Sequence, residues 1–323
     1  MNKLNFILFL LPIVGCQSTA QQNPYTIATH KTETIVPEGI AVDKRSGDIY
    51  VTSIEQRKIL VVKKDGSYRD LIHTESEGFG EGLGIKVDEK NEQVWAVSNR
   101  EDKGRDTLSM LHVFDLRSGA LKQKFEIRDT MNHLFNDLVL DGQGNAYITA
   151  TVGGEIFFAN GKTGKVELFL KDSLTRFPNG IELQNDKLYI ATYSSGLLVY
   201  DLFAKKLSQL TGYTNKTYAY NLDGLGFYRN KLYGVYNGDS LNANNGVVEY
   251  ELNNIGLGVV SEKMILKGHP DYHEPTTLAI AGSTIYVLAN SNLAAYNANK
   301  ESVNGIEKSL TSVAVVVYQL EKQ

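Results

Sequence analysis

One short pattern recurs six times along the chain and sets its architecture. Each copy begins with a polar residue close to a turn and continues as an apolar alternation. The copies read PEGIAV, GEGLGI, FNDLVL, PNGIEL, LDGLGF and PTTLAI, and their second residues are Glu38, Glu81, Asn136, Asn179, Asp223 and Thr276. Self-similarity at intervals of 43 to 55 residues indicates a repeated supersecondary unit.

Each repeat carries strand signals in a fixed order. An alternating first strand, a turn such as DGQGN, a second strand such as AYITA and a third such as IFFANGKTG follow one another, and five units add a weaker fourth strand. No segment shows a helical period over more than two turns, while 18 Tyr, 29 Gly and only 6 Pro suit a strand-rich chain with many turns. The sequence therefore predicts an all-β fold, a six-bladed β-propeller.

The ends of the repeat array predict how the ring closes. The sixth unit has only three strand signals, the last being SVAVVVYQLEK. We expect the N-terminal segment Tyr25–Ile35 (YTIATHKTETI) to join the last blade as its missing strand, which would leave no open sheet edge. Inserts at 100–107, 238–245 and 290–311 lie on the face where the first strands begin, either as a wall around the central mouth or as tolerated surface loops.

The N-terminus resembles a bacterial lipoprotein signal. An apolar run of 11 residues, Leu4–Val14, leads into Ile-Val-Gly-Cys, and such a run is too short to span a bilayer. We predict a signal peptide over residues 1–16 with lipidation at Cys16, a tether over 17–24 and one propeller domain over 25–323. An ordinary signal peptide is the alternative. Gln17 after Cys16 favours the outer membrane of a bacterial envelope, by analogy with other lipoproteins.

Composition restricts the partners of the chain. The formal net charge is −4, which argues against nucleic acid. Cys16 is the only cysteine, so no internal disulfide is expected. No second apolar run approaches 18 residues, so membrane contact is expected through the lipid anchor alone. A closed ring needs no second subunit, and we expect a monomer.

The recurring polar position predicts a metal site. First strands line the channel of a propeller, so Glu38, Glu81, Asn136, Asn179 and Asp223 should meet around its axis. Oxygen-only donors suit a hard divalent cation, Ca²⁺ above all. Without a cation, the carboxylates would repel one another in a partly desolvated funnel. The alternative is that these residues merely begin strands after turns, where Asn and Asp are common.

In order and spacing, these motifs resemble the senescence marker protein, gluconolactonase and luciferin-regenerating enzyme family, with diisopropylfluorophosphatase and the paraoxonases as more distant relatives. The resemblance covers roughly Pro37 to Leu320. It implies that Glu38, Asn179 and Asp223 hold a divalent cation, with Ca²⁺, Zn²⁺ and Mn²⁺ all used by relatives. It also implies that Asn136 contacts the metal or substrate.

The same resemblance implies a metal-dependent hydrolase, most simply a lactonase or esterase with a small-molecule substrate. Asp137 is the candidate base, and direct attack by Asp223 stays open. Some sugar lactonases carry a basic, substrate-contacting residue before the motif FND. No such residue is evident here, since Leu134 and Phe135 stand there. No paraoxonase-like histidine pair can be assigned.

Two histidines and one alternative function complete the sequence-based hypotheses. His133 and His273 each precede a recurring polar position by three residues, so each is a candidate proton shuttle at the mouth or a hydrogen-bonded loop residue. A non-catalytic, lipid-anchored propeller that binds a protein or glycan is the alternative to the enzyme, because propellers serve both roles.

Overall fold

Strands dominate the fold. The computed structural model describes residues 23–29, 35–101, 107–299 and 310–320, and all ranges and counts below refer to these residues. They form 24 strands in six four-stranded antiparallel sheets. The predicted six-bladed β-propeller is confirmed.

The strands follow one another in chain order, with a single strand ahead of the first complete sheet. The N-terminal strand and the first two sheets are β1 (Tyr25–Ala28), β2 (Pro37–Val42), β3 (Ile49–Ser53), β4 (Ile59–Val62), β5 (Tyr68–Ile72), β6 (Glu81–Asp88), β7 (Gln93–Glu101), β8 (Thr107–Asp115) and β9 (Leu121–Asp129). The next two sheets are β10 (Phe135–Leu140), β11 (Asn145–Ala150), β12 (Glu155–Asn160), β13 (Lys165–Lys171), β14 (Pro178–Gln184), β15 (Lys187–Thr192), β16 (Gly196–Asp201) and β17 (Lys206–Gln209). The last strands are β18 (Leu222–Tyr228), β19 (Lys231–Tyr236), β20 (Gly246–Leu252), β21 (Val259–Ile265), β22 (Leu278–Ala281), β23 (Thr284–Leu288) and β24 (Ala314–Gln319).

The first strand of every sheet lies innermost. β2, β6, β10, β14, β18 and β22 contact one another in that order, and β22 contacts β2. The six inner strands therefore surround a central channel, as the repeat predicted. The N-terminal ends of the six inner strands lie on one face of the ring. The opening of the channel on this face is called here the mouth.

The N-terminal strand belongs to the last sheet. β1 pairs antiparallel with β24, from Tyr25 opposite Val317 to Ala28 opposite Ala314, and the sheet order is β1-β24-β23-β22. The expected partner of the last blade is thus found, over four residues instead of eleven. Residues 30–34 of the predicted segment lie outside the described residues. That this pairing keeps the ring closed stays a prediction.

Helical structure is confined to short connections. Three 3₁₀ turns span Ser76–Gly78, Ser173–Thr175 and Lys216–Ala219, and helix α1 spans Leu293–Asn299. Residues of α1 and of the 238–245 insert line cavities at the mouth, which supports the wall interpretation for these two inserts. None of the described helices has the length and hydropathy needed to cross a bilayer. Cys16 and residues 17–22 lie outside the described residues, so the lipid anchor stays a prediction.

The core lies between neighbouring sheets, where apolar side chains from facing strands interdigitate. Between the second and third sheets, Trp95 is 2% exposed and stacks on Phe125 with ring centroids 6.2 Å apart. Phe135 and Phe157 complete this layer. Fully burying a side chain of this size contributes about 1.5–3 kcal/mol. The packed layers hold the inner strands at fixed distances around the channel.

The first prediction concerns β1. Ile27 is 4% exposed and packs with Val315 and Val317 in the core of the last sheet. We expect Ile27→Ala to lower the free energy of unfolding by about 2–4 kcal/mol, measured by urea denaturation. Leu168→Ala is the matched control, because Leu168 lies on the outer strand β13 and is 53% exposed. Equal, small losses in both variants would show that β1 contributes little to the closed ring.

Candidate active site at the mouth of the propeller

A β-bulge at the start of each of five inner strands positions the candidate ligands. Just past the strand's start, two residues of the inner strand oppose one residue of the second strand. A bulge bends the strand and releases side chains from the regular alternation. The bulged pairs are Glu38–Gly39, Leu83–Gly84, Asn136–Asp137, Asn179–Gly180 and Asp223–Gly224.

The bulges correct one predicted position. The second sheet places Leu83, not Glu81, where the first sheet places Glu38, because its bulge lies between Gly82 and Ile85. Both GEG and GLG fit the short pattern, and only strand register distinguishes them. The residues in equivalent positions, called here the inner ring, are Glu38, Leu83, Asn136, Asn179, Asp223 and Thr276. Glu81 lies two residues earlier, on the wall of the mouth.

Four predicted ligands converge on one place. Glu38, Asn136, Asn179 and Asp223 line a cavity of about 600 Å³ at the mouth, called here the mouth cavity. The same four residues line a space of about 10 Å³ below it, inside the channel. They therefore form the floor between mouth and channel, and their binding of a metal ion stays a prediction.

A second set of side chains fixes the inner ring. The first residue after the second strand of three blades hydrogen-bonds to the inner-ring residue of its own blade. Asn136 Nδ2 donates to Thr151 Oγ1, Asn179 Nδ2 donates to the Tyr193 hydroxyl, and Asn237 Nδ2 donates to Asp223 Oδ2, each at 2.9 Å. This supporting ring of Thr151, Tyr193 and Asn237 was missed, although its signal is regular: each residue follows its inner-ring partner by 14 or 15 positions.

Burial and mutual repulsion govern the two carboxylates of the floor. Burial, followed by the charges of Asp223, Glu274 and Asp137, raises the pKa of Glu38 well above its usual value. Burial also raises the pKa of Asp223 to about 7, with hydrogen bonds from Asn237 and Asn179 opposing the shift. Glu38 Oε2 is buried and has no hydrogen-bond partner among the described residues. Such a group needs a proton or a cation.

The donor set fits a hard cation. Two carboxylates and two side-chain amides provide oxygen atoms only, and the orphaned Glu38 Oε2 lies among them. The hydroxyls of Thr151 and Tyr193 hold the two amide nitrogens, so Oδ1 is the atom of each amide that remains for a cation. Within the described ranges, no three His, Asp or Glu side chains cluster closely enough to hold a metal by themselves. A cation bound here would therefore use the amides of Asn136 and Asn179 beside the two carboxylates.

Asp137 lies deeper than the sequence suggested. It lines the space below the floor and is absent from the lining of the mouth cavity. Its carboxylate accepts hydrogen bonds from the backbone amides of Leu138 (2.8 Å) and Ile181 (3.2 Å). Burial raises the pKa of Asp137, and the charge of Lys86 opposes this. Asp137 therefore faces the channel, where its charge interacts with those of Lys86 and Glu182.

Glycine holds the corresponding position in four other blades, because neighbouring inner strands approach closely there. A Cβ at Gly180 would lie 2.2 Å from the backbone oxygen of Asp223, and one at Gly39 would lie 2.1 Å from that of Leu83. Gly84 leaves room for Asp137 on the side of the second blade, because a Cβ at Gly84 would lie 2.6 Å from Asp137 Cα and 2.8 Å from its Oδ1. The charge of Asp137 in the channel is thus specific to this blade.

The two histidines have different surroundings. His133 is 6% exposed, with Nδ1 2.7 Å from Glu155 Oε2 and Nε2 3.0 Å from Asp129 Oδ2. Both ring nitrogens are thus engaged by carboxylates outside the mouth cavity, which agrees with the alternative of a hydrogen-bonded loop residue. His273 lines a neighbouring cavity of about 580 Å³, called here the side cavity. Its role as a proton shuttle stays a prediction.

Known proteins match the chain in structure, although no known family profile and no curated sequence does. A gluconolactonase from Xanthomonas campestris matches with a TM-score of 0.58 at 10% identity, over 91% of this chain and 89% of its own. Regucalcin, a calcium-binding protein from Agrobacterium tumefaciens, matches at 0.57 and 15%, over 94% and 96%. A PQQ-bound aldose sugar dehydrogenase from Streptomyces coelicolor matches at 0.59 and 14%, over 93% and 99%.

These matches agree with the resemblance found in the sequence. Gluconolactonase and regucalcin are members of the group that the motifs resemble. Identities of 10% to 15% show the fold alone. The aldose sugar dehydrogenase shows that the same fold supports other chemistry. Function therefore has to be argued from the residues of the mouth.

The second prediction concerns Asp223 without a metal ion. Its raised pKa means that the folded protein keeps a proton that the unfolded chain loses near pH 4. Stability should therefore fall as pH rises from about 4 to about 7. Asp223→Asn removes this loss, and we expect it to raise the free energy of unfolding at pH 8 by on the order of 2 kcal/mol.

Urea unfolding in EDTA at pH 5 and pH 8 checks this prediction. Only the pH 8 value should rise, because Asp223 is protonated in the folded protein at pH 5. Glu167→Gln is the control, since Glu167 is an exposed carboxylate on β13. Equal effects of Asp223→Asn at the two pH values would contradict the prediction.

Proposed function

We propose that this protein is a metal-dependent hydrolase that opens a small lactone or ester bound in the mouth cavity. The observation that carries the proposal is the convergence of Glu38, Asn136, Asn179 and Asp223 on the floor of that cavity. Its 600 Å³ volume is within the range of small-molecule sites. The match to a gluconolactonase supports this reaction class at the level of the fold.

Ca²⁺ is the cation that we propose, with Zn²⁺ and Mn²⁺ as alternatives. Glu38, Asn136, Asn179 and Asp223 would hold it, and all four offer oxygen, the donor that Ca²⁺ prefers. When bound, a divalent cation supplies a Lewis acid for a carbonyl oxygen. The match to a calcium-binding regucalcin agrees with this choice. Thr151 and Tyr193 contribute by holding the two amides in one orientation.

The carboxylate of Asp223 is the proposed proton acceptor. It faces the mouth cavity, where Asn237 fixes its Oδ2 at 2.9 Å. A water molecule adds to the carbonyl carbon and transfers a proton to Asp223. The bond between the carbonyl carbon and the ring oxygen then breaks, and the proton passes to the departing oxygen. Direct attack by Asp223 on the carbonyl carbon would give the same product after hydrolysis.

Asp137 is a weaker candidate for the base in this scheme. It lies below the floor, and two backbone amides occupy its carboxylate. We propose instead that Asp137 acts from a distance, since its charge raises the pKa of both Glu38 and Asp223.

One observation favours the alternative of a non-catalytic binding propeller. Met131, Val152, Phe177 and Tyr193 are 39% to 52% exposed, and all lie in connections on the face that bears the mouth. Exposed apolar side chains on one face suit a macromolecular ligand. In either case we propose a lipid anchor at Cys16 that holds the propeller at the bacterial cell envelope.

The third prediction tests the cation. Addition of 1 mM Ca²⁺ to EDTA-treated protein should raise the melting temperature by about 3 °C or more, because ligand binding stabilises the folded state. Glu38→Gln and Asp223→Asn should abolish this rise, while Glu167→Gln should keep it. Absence of any rise with Ca²⁺, Zn²⁺ or Mn²⁺ would contradict a metal site at the mouth.

The fourth prediction tests catalysis with a panel of lactones and esters. Hydrolysis is measured by pH-stat titration of the acid released. Wild-type protein should hydrolyse at least one member, and Asp223→Asn should lower kcat/KM by about 100-fold or more, because it removes both the proton acceptor and a proposed ligand of the cation. Asp137→Asn should lower kcat/KM by only about tenfold or less, because Asp137 lies below the floor. A cation-loaded wild type that hydrolyses none of them would favour the binding alternative.

A further inference from the structure

Glu274 lies on the wall of the mouth, where no motif predicted a functional residue. It lines both the mouth cavity and the side cavity, and Asn237 is the only other residue among the described lining residues that does so. We propose that Glu274 binds a positively charged group of the substrate, so that the mouth selects cationic lactones or esters over anionic ones. This inference rests on the proposed hydrolase function and names its substrate class.

The backbone holds Glu274 at the mouth in an unusual conformation. The residue two positions before the inner ring is left-handed in four blades: Leu134 (φ 54°), Phe177 (φ 54°), Asn221 (φ 56°) and Glu274 (φ 65°). This conformation costs about 1–3 kcal/mol for a non-glycine residue. Leu134 and Glu274 both reach the mouth cavity from this position. The turn before the inner strand therefore presents a side chain to the mouth cavity in two of these four blades.

Two hydrogen bonds fix the carboxylate of Glu274 while leaving one oxygen available. Ser291 Oγ donates to Oε2 at 2.9 Å, and the backbone amide of Ala294 donates to the same atom at 3.2 Å. Neither bond uses Oε1. Ala294 belongs to α1, so these contacts connect Glu274 to the wall formed by the last insert. An oxygen held this way can meet a ligand without losing further side-chain freedom.

The charges around the cavity favour a cation. Glu38, Glu81, Asp223 and Glu274 line it, and the described lining residues include no Lys, Arg or His. No salt bridge within the described residues involves Glu274. A divalent cation on the floor would offset the charges of Glu38 and Asp223 and leave those of Glu81 and Glu274. A carboxylate or phosphate on the substrate would meet repulsion there.

Aromatic side chains of the same cavity suit an alkylated ammonium group. Tyr193 and Tyr296 line it together with Leu134 and Leu293. The face of an aromatic ring attracts cations, and such rings combined with carboxylates recognise quaternary ammonium ligands. The side cavity beyond Glu274 provides about 580 Å³ for the rest of such a substrate. The geometry thus suits a lactone or ester with an ammonium group on one side.

A matched pair of substrates tests the proposal. The first is a γ-butyrolactone with a trimethylammonium group on its α-carbon, and the second carries a tert-butyl group of the same shape. Glu274→Gln keeps an oxygen for Ser291 and Ala294 but removes the charge. We expect it to lower the kcat/KM ratio of the cationic over the neutral lactone by about tenfold, the loss of one close charge contact.

Because every variant is assayed with the same two lactones, the difference in their intrinsic reactivity cancels when the kcat/KM ratios of variant and wild type are compared. Glu167→Gln removes a charge far from the mouth and should leave the ratio unchanged. Glu274→Lys should invert the preference towards a γ-butyrolactone that carries a carboxylate. If Glu274→Gln unfolds in urea like the wild type and its kcat/KM ratio for the two lactones is unchanged, the proposal is overturned.

Binding of the two corresponding lactams, measured by calorimetry with Ca²⁺ present, separates this proposal from the hydrolase. Tighter binding of the trimethylammonium lactam in wild type, lost in Glu274→Gln, would support the cation site even if no lactone were hydrolysed, and the hydrolase would then fail alone. Hydrolysis with equal binding of both lactams would overturn the cation site and leave the hydrolase standing. If no lactone is hydrolysed and the two lactams bind equally well, both proposals are overturned.

Discussion

The gathering of like charges in a place with little water is the constraint on which the mouth of this propeller depends. Glu38 and Asp223 meet on the floor, and both feel the charges of Asp137 and Glu274. The fold gains nothing from this repulsion. The six packed sheets provide the stability that holds the carboxylates together. A region in which burial works against ionised groups is where a bound cation or a functional proton is expected.

Two layers of structure convert this constraint into a defined site. The β-bulges place one side chain from each of four blades on the floor, and residues that follow the second strands hold three of these side chains by hydrogen bonds. The bulge supplies position, while Thr151, Tyr193 and Asn237 supply orientation. Because both layers are built on strands, the donors are held rigidly before any ligand arrives.

The mouth is asymmetric, although its scaffold repeats six times. Exposed apolar side chains such as Phe177 and Val152 lie on the third and fourth blades. The start of β6 in the second blade contributes Glu81 to the wall, and the connection into the sixth blade contributes Glu274. Leu83 breaks the polar inner ring, and Asp137 places a carboxylate where four other blades have glycine. Each departure from the repeat therefore distinguishes one side of the cavity from another.

The sequence alone determined the blade number, the strand order and four of the residues on the floor, because a repeat with an alternating apolar pattern has one economical way to bury its faces. It also located the partner strand of the last blade. Only the tertiary structure showed that Leu83 replaces Glu81, since a two-residue slip leaves the local pattern intact. It likewise placed His133 between Asp129 and Glu155, and Glu274 on the mouth wall. These positions depend on strand register and on contacts between distant segments, which no local spacing encodes.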